Sequence, residues 1–380
     1  METLSKEEFT ALAGYEAAIC VSILIPSHRS GVEVNEMHDA ITLKNKLQQA
    51  ARTLIENGSD QGTTDNILKE GFNLVDQRDF WNNQLEGLAV YMSAGFFKYI
   101  KIPFNVKEEL IISSSFYVTP LLPLMYNKRF YLLVLSRDDS TLYRGDSFGM
   151  DEVNVTGLPE GVNVEPDEAG GRKNTGSTKA GRQTYEEAIK AGESEGTAYL
   201  LEGFRDADQA LLQEEAQSTE KAPLLLAGTD YHAENFRKIS KYGNINPEIL
   251  TGNFEQMDKP DLYHVAKQKL LSYFKDNTSH ALKTFFDNSA NELTSSIPED
   301  VIPASYYSKV SDLFIQKDEH IWGKFDEATN KLDIHEQPLN GDTCLMNKAA
   351  VKTILNGGDV HVVEKEKMPA ESKIAAFMRY

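Results

Sequence analysis

The sequence predicts a mixed α/β fold in which small sheets are flanked by helices and the chain is divided into three domains. Three observations predict it. The length, 380 residues, exceeds a single domain of roughly 100–200 residues. Short apolar, β-branched runs alternate with segments whose apolar residues recur every three or four positions, the signatures of buried strands and amphipathic helices. The alternation breaks at a Pro-rich stretch, residues 119–124 (TPLLPL), and then restarts. The expected domains are 1–125, 126–275 and 276–380.

The elements follow in order. Residues 17–25 (AAICVSILI) are a continuous apolar run closed by Pro26, as a buried strand requires. Asn35 reads as a helix cap. Met37, Ile41, Leu47, Ala50, Ala51, Leu54 and Ile55 then recur at helical spacing, and Gly58 is the stop. A second helix covers about 64–80, with Ile67, Leu68, Phe72, Leu74 and Val75 on its apolar face, and strands are expected at 85–92, 99–102 and 109–118. TPLLPL reads as a linker. Beyond it, 130–136 (FYLLVLS) and 141–144 form a hairpin around a short turn.

From Asp146 to about Gly196 the chain is polar, rich in Gly and poor in periodic apolar residues. A loop of that length is either functional or unstructured. Thr184-Tyr-Glu-Glu187 within it matches a capping box for a short helix. Leu200, Leu201, Phe204, Ala207, Leu211 and Leu212 restore helical periodicity. Residues 223–228 (PLLLAG) are a strand entering a helix that carries Phe236 and Ile239. In the last third, 306–315 reads as a helix and 320–325 and 332–335 as strands. A helix at 346–355 is stopped by Asn356-Gly357-Gly358, with strands at 360–363 and 375–380.

Composition narrows the function. The chain has 39 Lys and Arg against 58 Asp and Glu, a formal charge of −19, spread evenly as −6, −7 and −6 over the three domains. Such acidity argues against a broad nucleic-acid surface, which is usually basic. Hydrophobic residues at 41% are enough to fill ordinary cores. No apolar run approaches the ~20 residues that span a bilayer, and the N-terminus METLSKEEF lacks the basic-plus-apolar form of a signal peptide. A cytoplasmic protein with no membrane partner is expected. Cys20 and Cys344 are far apart without CxxC or Cys/His spacing, which argues against a disulfide framework and a zinc knuckle.

One segment departs from the acidic background. Residues 170–183 (GGRKNTGSTKAGRQ) hold four glycines and four cations, Arg172, Lys173, Lys179 and Arg182, with no acid. Glycines let a backbone approach a polyanion closely, and cations there neutralise phosphates. Gly171-x4-Gly176 has the spacing of a nucleotide-binding P-loop, but Ser177 stands where that motif needs Lys and no strand precedes it. The remaining readings are a surface linker with incidental charge and a loop that touches RNA.

Weaker constellations do not assign a catalytic residue, a metal or a cofactor. Ser27-His28 lacks a G-x-S-x-G elbow and reads as a loop pair. Asp138-Asp139 occupies a hairpin tip and Asp230 a helix start, where acids are ordinary turn and cap residues rather than Mg²⁺ ligands. The eight histidines show no HxH or HExxH pattern, so each is expected to be solvated or locally hydrogen-bonded. Phe96, Phe97 and Tyr99 are assigned to a core rather than to a stacking surface.

The order of these elements resembles a known family, the archaeo-eukaryotic class-1 peptide release factors with the ribosome-rescue protein Pelota, in a bacterial branch. Val21-Ser-Ile-Leu-Ile-Pro26 with the helix at 40–55 (AITLKNKLQQAARTLI) is similar to the start of the family's codon-reading domain. The hairpin, the Gly170-Gly171 loop, the helix after it and Leu225-Leu-Ala-Gly228 with Phe236 follow the order of the central, peptidyl-transferase-directed domain. Residues 349–360 (AAVKTILNGGDV) look like the C-terminal domain, a fold shared with kink-turn-binding ribosomal proteins, and the stretch from Met368-Pro369 to Arg379-Tyr380 is most typical of the bacterial branch. The resemblance implies a three-domain release-factor-like architecture and a ribosomal partner, with delivery by a translational GTPase as a possibility.

The departures are as informative. Members that release peptide carry Gly-Gly-Gln, whereas Gly170-Gly171 is followed here by Arg172, a permanent cation with no acceptor to orient water. Gln183, twelve residues after Gly171, is not equivalent. Thr42-Leu43-Lys44-Asn45 stands where the family's Asn-Ile-Lys-Ser is expected. Three functions therefore remain open. The first is a non-catalytic ribosome-binding factor in rescue, hibernation or stress, with Gly170, Gly171, Arg172, Lys173, Lys179 and Arg182 as its RNA-binding loop. The second is a peptidyl-tRNA hydrolase lacking the usual glutamine. The third is a protein-interaction module that kept the fold without the ribosome.

Overall fold

A capping box opens the structure: Ser5 Oγ accepts from Glu8 N and the Glu8 carboxylate accepts from Ser5 N, each at 3.1 Å. Helix α1 (Lys6–Ala13) follows, and then β1 (Glu16–Pro26). The computed structural model describes residues 4–136, 140–153, 195–216, 221–254 and 257–380. The chain divides into two compact units, Met1–Tyr126 with Asp276–Tyr380, and Asn127–Lys275.

In the first unit, α2 (Val32–Asn35), α3 (His38–Glu56), α4 (Gln61–Val75) and α5 (Arg78–Trp81) precede β2 (Gly87–Ser93), β3 (Phe96–Ile102), β4 (Glu109–Ser115) and α6 (Leu122–Met125). The four strands form an antiparallel sheet in the order β3-β2-β1-β4. From Cys20 to Ile25 β1 is buried and, but for Ser22, apolar, because both its faces are covered. Val21, Ile23 and Ile25 pack with Leu43, Leu47, Leu54, Ile67 and Leu68 of α3 and α4. Cys20 and Leu24, on the other face, share a core with Leu345, Met346 and Ala349 from the end of the chain.

Four sequence expectations need correction here. Asn35 ends α2 and does not cap α3, whose cap position is Met37 in the left-handed region. The buried face of α3 is Asp39, Ala40, Leu43, Leu47, Ala50 and Leu54, which leaves Ile41 and Ile55 exposed. The expected 64–80 helix starts three residues earlier and breaks after Val75, with α5 separate. TPLLPL is not an open linker: it forms a 3₁₀ turn and α6, with Leu121 and Leu122 buried.

The second unit contains β5 (Phe130–Val134), β6 (Thr141–Gly145), β7 (Met150–Glu152), α7 (Glu195–Glu214), β8 (Leu224–Gly228), α8 (Asp230–Ile239), β9 (Ile245–Thr251), α9 (Lys259–Lys269) and α10 (Leu271–Asp287), the last running past its boundary. Its five-stranded sheet has the order β7-β6-β5-β8-β9, with β5, β8 and β9 parallel and β6 antiparallel to β5. Phe204, Ala207 and Leu211 of α7 and Phe236 of α8 cover one face, and Leu262 and Ala266 of α9 cover the other. The cap of α8 is Thr229, whose Oγ1 accepts from His232 N at 3.2 Å, so Asp230 is a first-turn acid rather than the cap.

The chain then completes the first unit with β10 (Thr294–Ser295), α11 (Pro298–Tyr306), β11 (Val310–Gln316), β12 (Trp322–Asp326), β13 (Lys331–His335), β14 (Thr343–Cys344), α12 (Leu345–Leu355), β15 (Asp359–Val363) and β16 (Ile374–Met378). One sheet has the order β10-β16-β11-β15 and another β13-β12-β14. The expected helix at 306–315 is overturned: the helix is α11, begun by Pro298, and a reversal at Ser308 (φ 59°) sends Val310–Gln316 into the sheet.

Candidate functional site

The predicted loop residues Gly170, Gly171, Arg172, Lys173, Lys179 and Arg182 lie outside the described residues, as do Gln183, the capping box at 184–187 and Asp138-Asp139. What the structure describes is the framework before and after them in the chain. β7 is antiparallel to β6 and so runs parallel to β5 and β8. The chain therefore leaves β7 at the carboxyl edge of the parallel strands. In open α/β sheets that edge is where ligands bind.

The loop returns through α7. The Phe204 ring lies 5.9 Å from His232, in the first turn of α8, and 6.0 Å from Phe236. The nine helical residues before Phe204 carry α7 about 13 Å farther, at 1.5 Å per residue. Val153 after β7 and Glu195 at the start of α7, the described residues on either side of 154–194, thus stand at or past the same sheet edge. Gly228 makes the edge compact. Its φ of +147° favours glycine, and a Cβ there would stand 2.6 Å from the Leu135 carbonyl oxygen. Tyr231 at this edge is 56% exposed.

Several acids of this unit face inward. Asp208 accepts from Lys241 N at 2.9 Å and from Ser240 Oγ, with the Arg205 guanidinium 3.8 Å away. Glu215 accepts from the Tyr131 hydroxyl at 2.9 Å and from Ala222 N at 3.4 Å. Burial, reinforced by that carboxylate, pushes the Tyr131 phenol well above its ordinary range.

Two side-chain clusters that the sequence pattern did not signal occur in the first unit. In one, His320 Nε2 donates to Glu109 Oε1 at 3.0 Å while Nδ1 lies 3.4 Å from Cys344 Sγ. Its ring stacks on Trp322 at 4.9 Å. Burial opposes a charge on this imidazole, yet the hydrogen bonds and charges of Cys344 and Glu109 prevail and raise its pKa to about 9. The order Cys, His, Glu is that of a nucleophile, a base and an orienting acid. With Cys344 only 4% exposed, however, the cluster ties β4 to β14 through His320 rather than meeting a substrate.

In the other cluster, His28, His38 and Asp39 converge at the start of α3. The expectation of a solvated or locally hydrogen-bonded role for each histidine does not reveal it, because residues 28 and 38 are brought together only by the turn through α2. Thr42-Leu43-Lys44-Asn45 lies within α3, with Leu43 in the core and Thr42 Oγ1 bonded to the His38 carbonyl. Phe96 and Phe97 are half-buried and Tyr99 is 42% exposed, so only the first two fit the core assignment.

Residues 129–309 match the family model described as "Bacterial archaeo-eukaryotic release factor family 3", a segment that includes the entire loop. None of the curated proteins compared matches the chain. Solved structures similar to it include the archaeal translation termination factor aRF1, 14% identical, covering 99% of each chain with a TM-score of 0.25. Archaeoglobus fulgidus Pelota is 12% identical over 77% of this chain and 79% of its own, with a TM-score of 0.29. S. cerevisiae Dom34, a translation termination-like factor involved in RNA quality control pathways and interacting with Hbs1, is 11% identical over 78% and 74%, with a TM-score of 0.37. Superpositions that loose do not bear on how this chain works, and the family match stands by itself.

Proposed function

We propose, from the premise that through residues 129–309 the chain is a bacterial archaeo-eukaryotic release-factor-like protein, that it is a cytoplasmic, ribosome-associated translation factor that binds without hydrolysing peptidyl-tRNA. It acts in rescue, hibernation or stress. Its contact with rRNA or tRNA is the loop at Gly170 and Gly171, where Arg172, Lys173, Lys179 and Arg182 neutralise phosphates. The observation that carries this reading is that the acid-free basic loop lies wholly inside the matched segment, in the stretch of chain between β7, which ends at the carboxyl edge of the parallel strands, and α7. Delivery by a translational GTPase is compatible with this role and is a further part of the proposal.

The absence of hydrolysis follows from Arg172. A cation that offers only donors cannot accept from, and so orient, an attacking water as a glutamine amide can. Co-sedimentation with ribosomes at modest salt tests binding: the intact protein is expected in the pellet, and a variant with the four cations changed to Ala in the supernatant. A peptidyl-tRNA release assay tests the chemistry, with activity expected at background. Release that disappears in a Gly171→Ala variant would overturn the non-catalytic assignment and leave a hydrolase.

A further inference from the structure

Asp39, in the first turn of α3, is buried to 4% exposure, although carboxylates are rarely so enclosed unless paired. Its Oδ2 accepts from the backbone N of His28 at 2.8 Å, which fixes the plane of the group. Its Oδ1 faces two imidazoles, 2.7 Å from His28 Nδ1 and 3.9 Å from His38 Nδ1. The two rings are 6.2 Å apart and nearly perpendicular. One donor atom from each of the three side chains lies within 4.8 Å of the others.

The backbone that produces this convergence is unusual. Met37, between α2 and α3, holds φ 55° and ψ 33°. A non-glycine residue in the left-handed region is uncommon and persists when its surroundings hold it. Met37 packs against the core beneath α3 and α4, which supplies that support. The result is a new helix beginning at His38, rather than a continued α2, with His38 and Asp39 turned toward His28.

We propose that His28, His38 and Asp39 bind a divalent cation of the zinc type, with the remaining coordination position open to water or an anion. Two imidazoles and one carboxylate suit Zn²⁺, Co²⁺ or Ni²⁺, and they supply too few oxygens for Ca²⁺ or Mg²⁺. Ligand atoms at tetrahedral zinc, bonded at about 2.0–2.1 Å, stand about 3.3 Å apart. The observed separations of 2.7 and 3.9 Å fall on either side of that value. The adjustment falls to the imidazoles, whose side chains are 39% exposed at His28 and 64% at His38, while Asp39 stays anchored by the His28 amide. That amide orients the carboxylate as the outer partners of metal ligands do.

Equilibrium dialysis of the full chain against micromolar Zn²⁺, with Mg²⁺ in parallel, tests the proposal. One Zn²⁺ per chain is expected and no Mg²⁺, with His28→Ala and His38→Ala each weakening Zn²⁺ binding about tenfold or more. His38 is exposed, so its variant reports on binding without disturbing the fold. Absence of Zn²⁺ binding, or binding that survives either substitution unchanged, would overturn the site.

Discussion

At position 347 one buried amide meets four partners. Asn347 Oδ1 accepts from Val118 N at 2.9 Å, Thr119 N at 3.1 Å and Thr119 Oγ1 at 2.9 Å, and Nδ2 donates to the Phe116 carbonyl at 3.0 Å. These bonds satisfy the turn that follows β4 from a residue more than two hundred positions later. Asn347→Ala would leave those groups buried and unpaired. It is expected to lower stability by about 2–4 kcal/mol in a urea titration, and a change under about 0.5 kcal/mol would show the turn to be held by other means. His320 makes a second residue-scale prediction. Its folded pKa, about 9, lies above the ~6.5 of an unfolded histidine. The bound proton therefore stabilises the fold fully below pH ~6.5, and that contribution is lost as pH rises through about 9. The stability difference between the native protein and His320→Gln should accordingly shrink between pH 6 and 9.5, by an amount on the order of 2 kcal/mol. A difference that stays constant with pH would mean that the imidazole is neutral in the fold.

Among the elements, those with a strong local pattern were legible. β1, the β5–β6 hairpin, β8 and α12 lie within a residue or two of their expected positions, since β1, β5 and β8 are continuous apolar runs and Gly357-Gly358 punctuates the end of α12. The misreadings have tertiary causes. Helical spacing alone placed Ile41 and Ile55 on the α3 core face, but the direction of packing left them in solvent. Tyr306 and Tyr307 read as continuous with the following apolar run because nothing in the pattern marks the reversal at Ser308. β7, β10 and β14, with two or three residues each, are too short to produce a period of two. At the carboxyl edge of the parallel strands, Gly228→Ala forces a Cβ against the Leu135 carbonyl in a conformation that alanine avoids. A loss of about 2–4 kcal/mol is expected, read as a lower urea midpoint with unchanged slope. A midpoint equal to that of the unsubstituted protein would show that the edge can relax.

For the whole molecule, some of the acids behind the formal charge of −19 serve the interior rather than the surface. Asp39 is paired with His28, Asp342 with His335, and Glu215 with Tyr131, while Asp208 is bonded to the backbone of Lys241, and all four carboxylates are buried. None of this can be read from composition, whereas the basic loop at 170–183 could be, because it is a contiguous run without an acid. The histidine and aspartate cluster at α3 was illegible for the opposite reason: its members meet only through the turn at Met37. Engagement of ribosomal RNA by this loop is read from the salt dependence of ribosome binding. Each phosphate neutralised contributes about 0.7–0.9 to the slope of log affinity against log salt. The native protein should bind at low salt, and the variant with Arg172, Lys173, Lys179 and Arg182 changed to Ala should show a slope shallower by about three. No binding at low salt, or identical slopes for the two proteins, would contradict the account.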